Sequence, residues 1–219
     1  MAQPLFTDAE RDRIAAAVAE AETRTSGEIV PYVVARCGTY EVAVWKAAAV
    51  GALAAAGVAL GVAALYDGWG MGWLYTAWAM ALVMALGGVA GALATLADPV
   101  RRLFAGTPRM ARRVHRRASL AFLEEEAFDT RDRTGILLFV SLFEHRIEVI
   151  GDKGIDAKVK PGEWVEVVAL IREGIVRGDL AGGLVSGIEK CGELLHRRGV
   201  AIREDDTDEL PDGVRVRDQ

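Results

Sequence analysis

AAAVGALAAAGVALGVAALY (residues 47–66) and GWLYTAWAMALVMALGGVAGALATLA (72–97) contain no charged side chain, and Asp67 is the single charge between them. Each stretch reaches the roughly 20 residues that cross a bilayer core. Two consecutive charge-free helices of this length need an apolar solvent on most sides, because the rest of a 219-residue chain is too small to wrap both. The reading is a transmembrane helical hairpin over residues 43–98.

Aromatic residues mark its expected boundaries: Tyr40 and Trp45 precede the first helix, and Tyr66, Trp69, Trp73 and Tyr75 surround the connection. The connection YDGWGMG is only a turn, so both ends of the hairpin emerge on one side. Arg36 and Lys46 stand before the charge-free stretches and Arg101, Arg102 and Arg109 after them, which by the positive-inside rule places both flanks in the cytoplasm. A plasma (inner) membrane protein with two spans and both termini cytoplasmic follows. Transport is disfavoured, since no charged side chain other than Asp67 lies between residues 47 and 97. Small residues recur at Gly51/Ala55, Gly57/Gly61 and Gly87/Gly91. At similar depth in an antiparallel pair, Gly51/Ala55 and Gly87/Gly91 can pack together and leave Gly57/Gly61 for a homo-oligomeric contact.

Outward from the hairpin, Thr7 and Glu10 form a capping box for a helix over about 8–25, and EIVPYVVAR reads as a strand. Pro31 lacks an N–H and argues for an edge or a bulge in part of that strand. The opening MAQPLFTDAERDR lacks the basic and apolar regions of an export signal.

After the hairpin, Thr107-Pro108 starts a helix expected to run to about Phe128. The net charge of −5 conceals segregation. Arg101, Arg102, Arg109, Arg112, Arg113, Arg116 and Arg117 fall in one stretch without an acid, whereas the last 17 residues carry seven acids. Arginines early and EEEAFD late both oppose the helix dipole. Anionic lipid headgroups beside the basic half explain the order, each such residue being worth about 1 kcal/mol. Nucleic acid is not expected, as few aromatics interleave with the arginines.

ILLFVSL and HRIEVIG, reversing at Phe143-Glu144, read as a β-hairpin. Two amphipathic helices follow, one carrying Trp164, Val167, Val168, Ile171 and Ile175, the other Leu180, Leu184, Ile188, Cys191 and Leu195. GDKGID reads as a turn, and REDDTDELPDGVRVRDQ as an extended or disordered tail with too few apolar residues to pack. The domains are therefore 1–37 (first helix and strand), 43–98 (membrane hairpin), 99–200 (basic helix and the remainder of the α/β domain) and 201–219 (acidic tail).

The order of TSGEIVPYVV, TGILLFVSLFEHRIEVIGDKGI, a Trp-led helix and RGDLAGGLVSGIEKCGELL resembles the TPM domain family, named from thylakoid, phosphatase and membrane. DELPD resembles a bacterial branch with an embedded membrane hairpin. The resemblance covers roughly residues 5–37 and 115–213. It implies an α/β fold, a small mixed sheet sandwiched by helices, here interrupted by the two-helix hairpin. Thylakoid relatives are associated with acid phosphatase activity and photosystem repair, some members bind divalent cations, and many bacterial members have no assigned activity. The internal hairpin and the expected cytoplasmic domain depart from the lumenal relatives.

No nucleotide-binding or nucleophile-elbow motif is present, and His115, His145 and His196 lack metal-ligand spacing. Cys37 and Cys191 lack CxxC spacing and read as small core residues. Glu28, Glu144 and Asp152 are the candidate metal ligands: if the sheet aligned them at one edge, their oxygens would suit Ca²⁺ or Mg²⁺. The leading functional reading is a membrane-anchored accessory or interaction module that touches anionic lipids and a protein partner. Its alternative is a divalent-metal-dependent, phosphatase-like hydrolase.

Overall fold

The computed structural model describes residues 5–65, 76–202 and 209–218. It is a mixed α/β structure that divides into two units, Met1–Cys37 with Arg112–Gln219, and Gly38–Ala111. The aromatic turn expected at Tyr66, Asp67, Trp69, Trp73 and Tyr75 lies outside the described residues.

In the first unit, helix α1 (Asp8–Glu22) starts on the Thr7–Glu10 capping box, which satisfies two orphan amide groups and contributes about 1 kcal/mol. Strand β1 (Glu28–Val34) pairs in parallel with β2 (Gly135–Ser141), from Glu28 opposite Gly135 to Val34 opposite Ser141. Every residue of both strands is buried, as expected of parallel strands covered on both faces. β2 turns back antiparallel into β3 (Arg146–Gly151). His145, at φ +51°, takes the left-handed conformation that closes this reversal. The sheet order is β3-β2-β1-β4, with β4 at Arg215–Arg217.

Side chains alternate across the sheet. Ile29, Val33, Ile136, Leu138 and Val140 join a core formed with α1, α7 (Val165–Arg177) and α8 (Leu180–Arg197). Val30, Tyr32, Val34, Leu137 and Phe139 meet Val114, Ala118 and Ala121 of helix α5 (Thr107–Glu124). α7 ends at Gly178, whose φ of +78° makes it a left-handed cap. Close to it, Gly174 and Gly183 bring α7 and α8 into backbone contact that a Cβ on either residue would obstruct.

Three expectations need correction. The tail, expected to have too few apolar residues to pack, is extended but packed where it is described: β4 pairs in parallel with Tyr32–Val34, and Val214 is buried. Backbone pairing and an ion pair supplement the apolar contact of Val214 here: Arg215 Nε donates to Glu125 at 3.1 Å. GDKGID is not a plain turn but a one-turn helix, α6 (Lys153–Asp156), capped by Asp152. Helix α5 stops at Glu124 instead of Phe128, since Ala127 N–H returns to the Phe122 carbonyl over Glu126 at φ +53°. Acids 124–126 would oppose the dipole of a longer helix.

Pro31 sits in an interior strand without a lost ladder bond. The Glu28 amide donates towards β2, to the Thr134 carbonyl, and the Ala35 amide towards β4, to Arg217. By alternation Pro31 would donate on the β4 side, where pairing begins only at Tyr32. The proline therefore occupies a local edge.

The second unit contains α2 (Glu41–Leu65), α3 (Ala77–Ala94) and a short amphipathic helix, α4 (Asp98–Ala105). α2 and α3 meet along glycines. A Cβ on Gly51 would overlap the Gly87 carbonyl, one on Gly87 the Ala55 methyl, and one on Gly91 the Ala47 carbonyl. A Cβ on Gly57 or Gly61 would meet nothing within 4 Å.

Two measurements test these packings. A Cβ on Gly88 would lie 3.8 Å from that of Ala52, close to disulfide spacing. In a background lacking Cys37 and Cys191, the Ala52→Cys/Gly88→Cys pair should therefore crosslink on mild oxidation, and adding Gly91→Leu should abolish the crosslink. Truncation before residue 209 should expose the Ala35 amide to hydrogen exchange while leaving the Val34 amide, on the β2 side, protected. Unchanged protection of the Ala35 amide would show that β4 is not its partner.

Candidate functional site

The proposed metal ligands do not come together. Glu28 begins β1 and Asp152 follows β3 at the Gly135 end of β2, whereas Glu144 lies in the reversal at the Ser141 end. The length of β1, about 20 Å at roughly 3.3 Å per residue, separates the two ends. The expectation of a three-carboxylate edge is thus corrected: strand direction sends the ends of a hairpin's turn and its open mouth to opposite edges. Among the described residues no group of three or more His, Cys, Asp and Glu is placed to hold a metal ion.

Each carboxylate instead has a local structural task. All three are buried, at 7% (Glu28), 5% (Glu144) and 6% (Asp152) exposure. Glu28 accepts the amide N–H groups of Glu209 and Leu210, at 3.4 and 3.3 Å, and so holds the segment that leads into β4. Asp152 accepts from the Lys153 amide at 2.7 Å as the cap of α6 and from an Arg133 guanidinium nitrogen at 3.2 Å. Arg133 Nε lies 2.6 Å from its other oxygen, off the line of a hydrogen bond, so that contact is an ion pair. Glu144 accepts the Cys37 amide at 2.8 Å and the Ser141 hydroxyl, joining the exit of β1 to the β2–β3 reversal.

The histidines are equally dispersed. His115 Nδ1 lies 3.0 Å from the Glu148 carboxylate, and His196 Nδ1 is 3.1 Å from the Arg24 carbonyl. Both cysteines are free thiols. Cys191 is wholly buried in the core, where desolvation, followed by the nearby charge of Glu22, pushes its thiol far up. Cys37 is half-buried, its sulfur 3.4 Å from the Ser141 hydroxyl. Burial, with a further contribution from Glu144 and against the Ser141 hydrogen bond, raises its thiol to about 11. Neither offers a thiolate nucleophile near neutral pH.

The carboxyl ends of the parallel strands carry a different arrangement, at the place where open α/β sheets receive ligands. A cleft of about 390 Å³ is lined there by Cys37 and by Arg113, Arg116, Arg117 and Leu120 of α5. Val114, Ala118 and Ala121 occupy the packed face of that helix, which turns Arg112, Arg113 and Arg116 outward at helical spacing. Arg117 departs from the expected lipid-facing set. It is only 18% exposed, donates to the Tyr32 hydroxyl at 2.6 Å and to Glu124 at 3.0 Å, and lies 5.3 Å from the Tyr32 ring centroid. Burial raises the Tyr32 phenol above its ordinary value more than the adjacent Arg117 charge lowers it, so the hydroxyl stays neutral and accepts. Tyr32 in turn stacks on Phe139 at 5.5 Å. Spacing alone groups all seven arginines; the missing signal was that Arg117 sits beside the packed face of α5, opposite a buried tyrosine.

These features define a small mixed α/β domain whose chain is interrupted by a helical hairpin. Among solved structures, the chain is similar to the NMR structure of the BA42 protein from the psychrophilic bacterium Bizionia argentinensis, with 20% identity, a TM-score of 0.59 and 99% of each chain covered. At that identity the likeness is one of fold. No family model and no curated protein matches the chain.

Cys37 provides the check on this geometry. A thiol raised from 9.0 to about 11 favours the folded state fully below pH 9 and loses that contribution as pH rises towards 11. In a Cys191→Ala background, alkylation of Cys37 should be slow at pH 7 and gain about tenfold per pH unit until near pH 11. Alkylation at pH 7 as fast as that of a free cysteine would contradict the buried site.

Proposed function

We propose that this chain is a membrane-anchored accessory module of the TPM type, in which α2 and α3 cross the inner membrane and the α/β unit serves as a cytoplasmic interaction domain. The observation that carries this reading is the surface of the hairpin. Trp45, Leu53, Val58, Leu65, Trp78, Leu86 and Leu93 are exposed around both helices, Leu65 and Trp78 by 86% and 87%. Three residues of α2 and none of α3 are buried. Core helices of a soluble protein would be covered; a continuous apolar surface of this kind suits lipid. At 1.5 Å per residue the helices are roughly 27–38 Å long, matching a hydrocarbon core of about 30 Å.

The backbone seam between α2 and α3 supports the same reading, because hydrocarbon supplies no hydrophobic drive for helix association and close glycine packing replaces it. Gly57 and Gly61 remain open to another helix, a second copy included. Arg101, Arg102 and Arg109 follow the second helix in sequence, and Arg112, Arg113 and Arg116 follow them along the chain. These residues meet anionic headgroups, each adding about 1 kcal/mol near the surface.

A non-enzymatic role is supported by the local engagement of each candidate group. Glu28 holds the tail, Asp152 caps a helix, Glu144 ties two strand ends, and both thiols stay protonated. The phosphatase alternative would need those carboxylates at one edge, and they stand at two.

Topology tests the proposal. In a background lacking native cysteines, an impermeant reagent applied to intact cells should label Thr76→Cys and leave Thr107→Cys unlabelled. Extraction of the protein by alkaline carbonate, or the reverse labelling pattern, would overturn the anchored cytoplasmic reading.

A further inference from the structure

β3 is an outer strand of the sheet, and its far side faces no other strand among the described residues. The Asp152 amide donates to the Gly135 carbonyl at 2.9 Å, so by alternation Arg146, Glu148 and Ile150 bond β2, while the N–H and C=O groups of Ile147, Val149 and Gly151 point away from it. Such a row is a template for another strand. The usual protections are missing: β3 pairs with β2 without a bulge and contains no proline, and its Glu148 is turned to His115 of α5, on the other face of the sheet from α7.

A groove of about 340 Å³ lies beside this edge, between Val149 and the side chains of Trp164, Val165, Val168 and Arg172 on and just before α7. Val149 and Trp164 belong to the core on the α7 face; Trp164 is only 6% exposed, whereas Val165 stands at the rim, 67% exposed. An edge strand beside a helix is an arrangement that takes extended peptides, the main chain supplying affinity and the pocket for alternate side chains supplying specificity. Arg172 sets the charge of the occupant. It is exposed and has no hydrogen-bond or ion-pair partner among the described residues. Its neighbours on the helix surface, Val168, Ala169, Ile175 and Val176, offer no acid.

We infer that the β3–α7 groove docks an extended segment of another protein as a fifth strand, with an apolar side chain over Trp164 and an acidic one against Arg172. The two side chains stand two residues apart, since alternate residues of a strand are about 6–7 Å apart and Val168 and Arg172 are about 6 Å apart along α7. A second copy adding its own β3 in the same orientation would present Ile147, Val149 and Gly151 and no acid, so Arg172 argues for a different chain. The inference deepens the interaction-module reading and rests on it.

The test uses the full-length protein in nanodiscs and a fluorescein-labelled heptapeptide of threonines that carries one leucine and, two positions on, one glutamate. Anisotropy reads binding and amide exchange reads the place. The peptide should protect the amides of Ile147, Val149 and Gly151 and leave those of Glu148 and Ile150, already paired with β2, unchanged. Of two peptides N-methylated on alternate residues, the one blocked on the side facing β3 should fail and the other should bind. Lysine in place of the glutamate should weaken binding roughly tenfold, a preference that Arg172→Gln removes and Arg177→Gln keeps. No binding up to about 1 mM peptide, equal binding by both N-methylated peptides, or a glutamate preference that survives Arg172→Gln would overturn the site. Protection of the same amides without peptide, lost when each disc holds one copy, would give the edge to a second copy and overturn it as well. Each failure leaves the labelling pattern of Thr76→Cys and Thr107→Cys untouched, so the docking site and the anchored topology fail separately.

Discussion

The parallel pairing of β1 with β2 is the constraint on which the α/β unit depends. Both strands are buried along their whole length, and their seven-residue register joins Glu28–Val34 to Gly135–Ser141. Neither can pair locally with the other, because parallel strands require a crossover. In this chain that crossover contains the two long apolar helices α2 and α3, followed by α4 and α5. Whatever environment the hairpin occupies, the chain must leave the sheet at Val34 and return to it at Gly135. An even number of long helices makes that return straightforward.

Periodicity made much of this architecture legible. The capping box at Thr7, the β-hairpin around Phe143, the apolar faces of α7 and α8 and the close packing available to Gly51 and Gly87 all arise from short-range patterns. Pro31 is instructive because its rule was obeyed in an unexpected place: the strand is central, but the proline faces the one stretch of it that β4 leaves unpaired. What escaped was non-local. RVR at residues 215–217 is too short and too charged to announce a strand, and it becomes one by completing an existing edge while Glu28, Glu125 and Tyr32 hold it and the segment before it. The candidate metal site failed for a related reason. Sequence spacing places carboxylates at strand ends but does not say which ends coincide until strand order and direction are known.

The arginines show how a composition signal divides once partners are visible. Seven of them read as one basic surface, yet Arg117 supports a buried phenol and Arg133, outside the cluster, supports the Asp152 cap. Removing Arg117 would leave a buried hydroxyl and a carboxylate with fewer donors, so loss of function in such a variant could reflect packing as much as lost charge.

The long interval between β1 and β2 also governs how the protein is made. At ribosomal rates of about 5–20 residues per second, the roughly 100 residues between Val34 and Gly135 take on the order of 5–20 s to synthesise. Throughout that interval α1 and β1 exist without their sheet partner. EIVPYVV is then an apolar strand with free edges, the kind of segment that seeds aggregation, and Pro31 is the residue within it that cannot extend a ladder. The same missing N–H that costs nothing in the finished sheet therefore acts as a gatekeeper in the nascent chain.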